Sequence, residues 1–383
     1  VSCAPGIEEI LDLESRQIGL VPLTHANRAR HSGKTGTGED DGGLLFEGFY
    51  SHIQSANLHL RCASRVIGRL GEFQATAFAE LRKQASHLEW ERYILPGQAV
   101  NIQAACHKSK LYHTDAVAER VLGAINDHFS LSGAPQKPCR QEVQAQMILV
   151  RLVNDLCTIS VDSSGELLHK RGYRQAVAKA PLRETLAAAM LLSSNWEDQS
   201  PLIDPFCGSG TIPIEAALLA RRIPPGIARE FAFEKWPVFS KEAWVEQLEK
   251  ARSEIIPLSC RIQGFDRDKG AVEMAIANAS RAGQKTDVDF RQQALSSLEP
   301  AATPGWIITN PPYGIRVSAD RDLRDLYARF GNILRTKFSG WKVGILCGDP
   351  KLTGQLNIGN EYARLRFSNG GVSVQFLIFT IGS

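Results

Sequence analysis

Two stretches of this chain decide its fold, Asp204-Pro205-Phe206-Cys207-Gly208-Ser209-Gly210-Thr211 and, further along, Asn310-Pro311-Pro312-Tyr313. Each follows a short apolar run, Leu202-Ile203 in the first case and Trp306-Ile307-Ile308-Thr309 in the second. A glycine-bearing turn between a strand and a helix lets the backbone approach a ligand closely, at the edge of a parallel sheet. The first stretch therefore predicts a ligand-binding α/β domain, and the second predicts a polar turn at another strand end.

Strand and helix patterns alternate through the C-terminal part of the chain. The predicted elements are strands at 262–266, 288–290, 306–309, 341–347 and 372–381, with helices at 269–282 and 323–337. This alternation with short connections indicates a doubly wound, mostly parallel, Rossmann-like sheet. The earlier part has an α+β pattern instead: helices at 7–18 and 116–129, a mixed segment with helical patterning at 66–90, a strand at 99–106, and two strands within 142–162 joined near Asn154-Asp155.

The composition is that of an ordinary globular protein, with 43% hydrophobic and 22% charged residues among 383. A chain of this length is expected to form about two or three domains. No apolar run is long enough to span a bilayer, which disfavours a membrane protein. The net charge of +3 is only mildly basic, so any nucleic-acid-binding surface must be a local patch.

The eight cysteines are scattered and form no C-x-x-C pair, so neither a zinc site nor a disulfide framework is expected. Such cysteines suit a reducing compartment. The chain opens at Val1 without an initiator methionine. The expected location is the cytoplasm of a bacterium, or the matrix of a plastid or other organelle if a targeting peptide has been removed.

The residues around the glycine turn point to a cofactor with positive charge and a ribose. Gly208 and Gly210 permit close approach, and Asp204 attracts cationic groups. Asp266 ends a predicted strand, where an acidic side chain accepts hydrogen bonds from two ribose hydroxyls, although an aspartate there also caps a following helix. Pro213 replaces the third glycine of a nicotinamide-binding motif, which disfavours a dehydrogenase. This pattern predicts S-adenosylmethionine.

The Asn-Pro-Pro-Tyr turn suits a flat base with an exocyclic amine. The Asn310 side-chain oxygen and the Pro311 carbonyl can each accept one N–H, which frees the delocalised lone pair of the nitrogen for attack on a methyl group. Tyr313 can stack on the base, and Phe206 can close its other side. The alternative, a proline turn at a strand end, is weakened by the glycine motif upstream in the right order. The two motifs together predict methylation of an amino group on a nucleobase.

Further stretches extend this pattern to most of the chain. They are Cys3-Ala4-Pro5-Gly6-Ile7-Glu8-Glu9, Asn57-Leu58-His59-Leu60-Arg61, Lys110-Leu111-Tyr112-His113-Thr114, Arg171-Gly172-Tyr173-Arg174, Ala180-Pro181-Leu182-Arg183-Glu184-Thr185 and Ile223-Pro224-Pro225-Gly226. With them the chain resembles the THUMP-domain RNA guanine-N2 methyltransferases, in particular their bacterial large-subunit ribosomal RNA branch. The resemblance implies a ferredoxin-like part at 1–55, a THUMP RNA-binding domain at 56–165, and a methyltransferase domain at 166–383 whose sheet ends in an antiparallel strand.

The resemblance also implies what the site binds. S-adenosylmethionine is the implied cofactor, S-adenosylhomocysteine its product, and structured RNA, as ribosomal RNA or a pre-ribosomal particle, the implied partner. The implied catalytic residues are Asn310, Pro311, Pro312 and Tyr313. The implied cofactor-binding residues are Asp204, Phe206, Cys207, Gly208, Gly210, Thr211, Asp266, Arg267, Gln293, Ala294 and Asn310. Basic residues expected to contact RNA are Lys108, Lys110, Arg61, Arg65, Arg140, Arg171 and Arg174.

The chain departs from the family pattern in three places. Gln293-Ala294 stands where an acidic residue usually meets the adenine amino group. The chain contains one methyltransferase unit, whereas some relatives fuse two, and the glycine-rich loop at 30–43 resembles an insertion. A transfer-RNA guanine methyltransferase, a DNA amino methyltransferase and a non-catalytic RNA-binding assembly factor remain as alternatives.

Overall fold

The computed structural model describes residues 1–23, 42–131, 145–175, 182–300, 303–313, 320–359, 361–369 and 371–382. Most of the predicted loop at 30–43, and Arg140, lie outside the described residues.

The described residues form helices throughout both halves of the chain. The α-helices are α1 (Glu8–Gln17), α2 (Tyr50–His59), α3 (Phe78–Ser86), α4 (Thr114–Leu131), α5 (Glu184–Ser193), α6 (Thr211–Ala220), α7 (Lys241–Ser253), α8 (Lys269–Arg281), α9 (Asp320–Lys337) and α10 (Pro350–Gly354). Short 3₁₀ turns occur at Trp90–Arg92, Ala232–Lys235 and Leu295–Ser297. None of the helices in the described part of the chain is long and apolar enough to cross a membrane.

The strands form three sheets. They are β1 (Ser2–Cys3), β2 (Ala63–Arg65), β3 (Ile67–Gln74), β4 (Val100–His107), β5 (Gln146–Val153), β6 (Leu156–Asp162), β7 (Leu202–Asp204), β8 (Ile262–Asp266), β9 (Val288–Gln292), β10 (Trp306–Thr309), β11 (Lys342–Cys347), β12 (Glu361–Asn369) and β13 (Val372–Thr380).

The C-terminal sheet has seven strands in the order β9-β8-β7-β10-β11-β13-β12. The first five are parallel, whereas β13 runs antiparallel to both β11 and β12. This arrangement confirms the predicted Rossmann-like sheet with an antiparallel C-terminal strand. The strand order reverses between β7 and β10, and ligands of open parallel sheets bind beyond the carboxyl ends of strands at such a point.

The N-terminal region, residues 1–175, contains the two smaller sheets. Strands β3, β6, β5 and β4 form a four-stranded sheet in which β4 and β5 are parallel and the other pairs antiparallel. Strands β1 and β2 form a short antiparallel pair. The predicted hairpin at 142–162 is confirmed, and its turn at Asn154-Asp155 has both residues at positive φ. The prediction for 66–90 was only partly right, because β3 precedes helix α3 in that segment.

The two regions share one apolar core and a set of hydrogen bonds. Buried residues from both regions belong to the same hydrophobic cluster. The Gly226 N–H donates to the Leu58 carbonyl at 3.0 Å, and the Phe233 N–H donates to Ser163 O at 3.1 Å. The Trp236 indole N–H donates to Gln146 Oε1 at 2.9 Å. The N-terminal region is therefore packed against the segment that follows α6, the helix that begins at the glycine turn.

Candidate active site

The glycine turn joins β7 to α6 at the carboxyl edge of the seven-stranded sheet. Gly208 and Gly210 have φ values of 52° and 85°, in the left-handed region that favours glycine. The Cys207 N–H donates to Phe265 O at 2.9 Å, and the Gly210 N–H donates to Cys207 O at 2.8 Å. These bonds fix the turn against β8 and place Thr211 at the start of α6.

The two glycines have different surroundings. A Cβ on Gly210 would lie 2.8 Å from Phe290 Cζ and 3.0 Å from Ala275 Cβ, so Gly210 is needed for packing. A Cβ on Gly208 would meet no atom within 4 Å among its described neighbours. Open space therefore lies directly over the Gly208 backbone, as a cradle for a ligand requires.

Asp204 is buried at the end of β7 and is only 1% exposed. Its Oδ1 accepts hydrogen bonds from the Thr309 hydroxyl at 2.6 Å and the Phe206 N–H at 3.1 Å. Burial raises the pKa of this carboxyl to about 7, although both hydrogen bonds oppose the rise. The Thr309 bond joins the end of β7 to the end of β10, where the Asn-Pro-Pro-Tyr turn begins.

Asp266 lies beside the glycine turn at the end of β8. Its Oδ2 accepts the Gly208 N–H at 3.0 Å, and its Oδ1 accepts the Asp268 N–H at 2.9 Å. The cap of α8 is Asp268, whose Oδ1 accepts the Ala271 N–H at 3.1 Å. The alternative role considered for Asp266 in the sequence, the N-cap of the following helix, therefore belongs to Asp268. Each oxygen of Asp266 retains a lone pair for a further donor.

Three more predicted cofactor residues follow the neighbouring strand ends. The Gln293 N–H donates to Asp266 O at 2.9 Å, so the start of this loop is tied to β8. The Gln293 side-chain amide donates to Ser297 O at 2.9 Å, which leaves its Oε1 as an acceptor. Arg267 and Ala294 are exposed.

Asn310 follows β10 directly, and its side-chain oxygen has an unusual environment. Its Oδ1 is buried, with no hydrogen-bond partner among the described residues. A buried unpaired acceptor costs about 1–3 kcal/mol, so it signals a donor that arrives with a ligand. Pro311 is buried next to it, and its ring supplies no N–H, so its carbonyl is a second acceptor in the same turn. Pro312 is half-buried.

Tyr313 is held by two residues that the sequence did not single out. A Cβ on Gly348 would lie 2.9 Å from Tyr313 Cδ2, so the ring fits against a bare backbone. Asn369, at the end of β12, places its Nδ2 3.4 Å from the Tyr313 hydroxyl. On the other loop, the half-buried Phe206 packs edge-on against Phe330 of α9, with ring centroids 5.4 Å apart.

The chain is similar to known methyltransferases. Residues 171–371 match the RMKL-like methyltransferase domain, and residues 1–67 match the RlmL ferredoxin-like domain. The chain belongs to the RMKL-like methyltransferase family. The ribosomal RNA large subunit methyltransferase K/L of Syntrophotalea carbinolica is 35% identical over 382 residues, covering 95% of this chain and 52% of the relative. The chain thus spans about half the length of that relative.

Two further relatives are similar over nearly their whole length. A Synechocystis protein described as an RNA methyltransferase is 31% identical, with 88% of each chain covered. A crystal structure of a protein described as a methyltransferase, in complex with S-adenosylhomocysteine, has a TM-score of 0.87 and 31% identity. It covers 100% of this chain and 97% of its own.

S-adenosylmethionine is the cofactor of this methyltransferase domain, and the residues present fit it. The open space over Gly208 admits a close approach, and Asp266 has spare acceptor capacity for hydroxyl groups. Asp204 adds negative charge when it is ionised. Burial raises the pKa of the Cys207 thiol well above its ordinary value, so this thiol is not activated as a nucleophile.

Alanine at the two glycines is expected to have opposite consequences for the methyltransferase. Gly210→Ala should destabilise the fold more, because about 1–2 kcal/mol of left-handed strain adds to about 1–3 kcal/mol for the overlap of its methyl group with Phe290 and Ala275. Gly208→Ala should cost only about 1–2 kcal/mol of left-handed strain, but its methyl group enters the cofactor space and weakens binding. Thermal unfolding and calorimetric titration measure the two effects. Equal destabilisation, with unchanged cofactor affinity in Gly208→Ala, would contradict this assignment.

Cofactor affinity is expected to rise with pH up to about 7 and then level off. Below that pH Asp204 is protonated in the free protein, and a cationic ligand favours its ionised form, so binding must release a proton. The stability of the fold changes with pH in the opposite direction. The folded form holds this proton more tightly than the unfolded chain, so the contribution of Asp204 to stability is lost as pH rises towards 7. Calorimetric titration over a pH series measures the slope of cofactor affinity against pH, and Asp204→Asn should flatten this slope. An equal slope in both proteins would show that a group other than Asp204 releases the proton.

The basic residues expected to contact RNA differ in their exposure and in their partners. Lys108 and Lys110 are exposed on the loop after β4. Arg140 lies outside the described residues. The other four are partnered inside the protein: Arg61, Arg65, Arg171 and Arg174.

Arg61 and Arg171 correct the sequence-based expectation most clearly. Arg61 Nη2 donates to Ile223 O at 2.7 Å and Leu218 O at 3.3 Å, and Arg171 donates to the carbonyl of Arg61. Their exposed fractions are 7% and 5%. These guanidinium groups join the N-terminal region to α6 and the loop after it, so they are not available to phosphates. Arg65 and Arg174 pair with Asp162 and Glu184 and offer little free surface.

Asn278 is a further residue of the site that sequence analysis missed. It is fully buried on α8, and its Nδ2 donates to Ser209 O of the glycine turn at 2.9 Å. Its one sequence signal is an asparagine on the apolar face of a predicted helix, where a polar side chain requires a partner.

Proposed function

We propose that this chain transfers a methyl group from S-adenosylmethionine to the exocyclic N2 amine of a guanine in structured RNA, and that the RNA is large-subunit ribosomal RNA. The observation that carries the proposal is the buried Oδ1 of Asn310, which has no hydrogen-bond partner among the described residues and precedes Pro311 in the same turn. Two acceptors at one strand end fit an amine that brings two N–H groups. A ring nitrogen such as guanine N7 carries no proton there and gives these acceptors nothing to bind.

The chemistry of the chain's own residues follows from this pairing. S-adenosylmethionine supplies a methyl group on a positively charged sulfur when it is bound. Asn310 and Pro311 orient the amine and favour a tetrahedral nitrogen, in which the lone pair is no longer delocalised into the ring. Tyr313, fixed by Gly348 and Asn369, supports the base by stacking, worth roughly 1–3 kcal/mol. Positioning of this kind accounts for a large share of a rate enhancement.

The substrate class is supported by the exposed loop after β4. Lys108, Lys110 and Tyr112 are exposed, Tyr112 by 67%, and the Tyr112 ring lies 4.1 Å from that of His113. The β5–β6 turn holds this loop in place, since Asp155 Oδ1 accepts the Lys110 N–H at 2.6 Å. Exposed cations beside exposed aromatic rings suit nucleic acid. The relatives described as acting on ribosomal RNA and RNA support the same class.

The proposal is tested by methyl transfer from labelled S-adenosylmethionine to total RNA from a strain that lacks the protein. The expected result is label in large-subunit ribosomal RNA, recovered as N2-methylguanosine after digestion to nucleosides. Transfer RNA and duplex DNA serve as competing substrates in parallel reactions. Label in N7-methylguanosine or in an adenosine would refute the base, and label confined to transfer RNA or DNA would refute the substrate.

A further inference from the structure

The outer edge of the seven-stranded sheet carries a row of basic and aromatic side chains. In β12 the side chains of Tyr362, Arg364 and Arg366 are exposed, and Tyr362 is 55% exposed. The alternate residues Ala363 and Leu365 pack against the apolar core. Because alternate residues of a strand share a face, the three exposed side chains lie along one row, with a step of about 6.8 Å between Arg364 and Arg366. The pairing of β12 with β13 shifts register at Tyr362.

This row leads to the candidate active site. Strand β12 ends at Asn369, whose side-chain amide reaches the Tyr313 hydroxyl. The neighbouring positions of the same face remain polar towards that end, since Arg366 lies opposite Gln375 and Ser368 lies opposite Ser373. An extended chain lying along the row would therefore run towards the strand end at which Asn369, from the alternate set of side chains, reaches Tyr313.

The row also lies where the N-terminal region meets the catalytic sheet. Gly6 packs against the backbone of β12 so closely that a Cβ on it would lie 2.0 Å from the Arg366 carbonyl oxygen. Arg364 pairs with Glu361, whereas Arg366 forms no ion pair with any residue that the structure describes. One positive charge of the row is thus uncompensated, and the second is held by an exposed pair of the kind that contributes little stability.

Charged residues on an edge strand have a second explanation, because they prevent edge-to-edge aggregation. That explanation accounts for the arginines alone. An exposed tyrosine in the same row makes an edge more adhesive, and edge protection does not require the row to run towards Tyr313. A surface that combines arginines with an aromatic ring is instead typical of sites that follow a single nucleic-acid strand.

We infer that β12 is a track for the substrate RNA, in which Arg364 and Arg366 bind phosphates and Tyr362 stacks on an unpaired base of the strand that leads to Tyr313. The inference rests on the proposed function and deepens it. Methylation of a paired base requires that the base leave its stack, at a cost of a few kcal/mol. Contacts on β12 hold the strand next to that base, whereas the loop with Lys108 and Lys110 holds the RNA at the other region.

The test uses the full chain with Arg364→Gln/Arg366→Gln, with Tyr362→Ser, and with Arg16→Gln/Arg92→Gln as the charge-matched control. Arg16 and Arg92 are also exposed, and each pairs with a carboxylate three or four residues away, as Arg364 does. The probe is unmodified large-subunit ribosomal RNA made by transcription. KM for RNA, RNA affinity over a salt series, and cofactor affinity are measured for each protein.

The arginine variant is expected to raise KM for RNA and to reduce the slope of log affinity against log salt by about 1.4, at roughly 0.7 for each phosphate contact with a single strand. Tyr362→Ser should weaken RNA binding roughly tenfold without changing that slope, because stacking releases no counterions. Cofactor affinity should stay unchanged in all variants. If wild-type protein methylates the RNA but the β12 variants behave like the control, the track is refuted and the proposed function is not. If wild-type protein methylates no RNA, the proposed function is refuted and the track with it.

Discussion

Asn310→Ala is expected to lower kcat by about two to three powers of ten while cofactor affinity stays within about twofold. In the proposed reaction the Asn310 Oδ1 is one of two acceptors for the amine, and loss of one preorganised partner of a transition state costs roughly 2.7–4 kcal/mol. In the proposed site the cofactor is held by the glycine turn and Asp266, whose contacts this substitution does not touch. Single-turnover methyl transfer with saturating RNA, together with calorimetric titration of the cofactor, measures both quantities.

The same substitution should leave the free protein as stable as before or more stable. In the free protein the Asn310 oxygen is buried without a partner, so its removal relieves a cost of about 1–3 kcal/mol. Asn332→Ala, at an exposed helical position of α9, is the matched control and should change neither activity nor stability. A loss of activity accompanied by an equal loss of stability would show that Asn310 is a structural residue.

The sheet and its two ligand-facing turns were predictable from sequence because their signals are local. A short apolar run followed by glycine or by Asn-Pro-Pro-Tyr indicates a strand end without reference to the rest of the chain. Strand β3 was not recognised for the same reason, since its residues are half-buried with little alternation and α3 begins soon after it. Helix α7 was also missed; its mean hydropathy is low, and only Trp244 and Ala251 are buried.

The acidic and glycine residues of the candidate site could be proposed from the sequence, but the residues that hold the site in place could not. Asp204 and Asp266 lie at strand ends that the motifs define. Gly348, Asn369 and Asn278 act through neighbours that are distant in sequence, so no spacing connects them with the site. Asp268 illustrates a smaller ambiguity, because two aspartates within three positions were both suited to cap α8 and only the backbone geometry distinguishes them.

For the arginines, the sequence signal was present but its interpretation was wrong, because the predicted binding partner differs from the observed one. Arg61 lies near basic residues in a region that resembles an RNA-binding domain, so phosphates were expected to be its partners. The burial of a guanidinium depends instead on carbonyls and carboxylates contributed by other elements. The Glu14 carboxylate accepts the backbone N–H groups of Arg61 and Cys62, both at 2.9 Å, and so belongs to the same buried cluster.

Arg61→Ala is therefore expected to lower the free energy of unfolding by about 3–5 kcal/mol, the cost of breaking a buried charged network from one side. It removes the bonds to Ile223 O and Leu218 O and leaves the buried carboxylates of Glu14 and Glu215 short of positive charge. Burial already raises the pKa of Glu14, and Arg61 opposes that rise. Chemical denaturation measures the loss, with the exposed Arg16→Ala as its control.

The Lys108→Ala/Lys110→Ala variant supplies the contrast that separates structure from RNA binding. Both lysines are exposed, so the pair should change stability by no more than about 0.5 kcal/mol for each residue. It should nevertheless weaken RNA binding and lower its salt dependence, because phosphate contacts carry that dependence. RNA affinity of Arg61→Ala, measured where the variant is still folded, should equal that of wild type. If Arg61→Ala is stable and binds RNA poorly while the lysine variant binds normally, the two sets of residues have been assigned to the wrong roles.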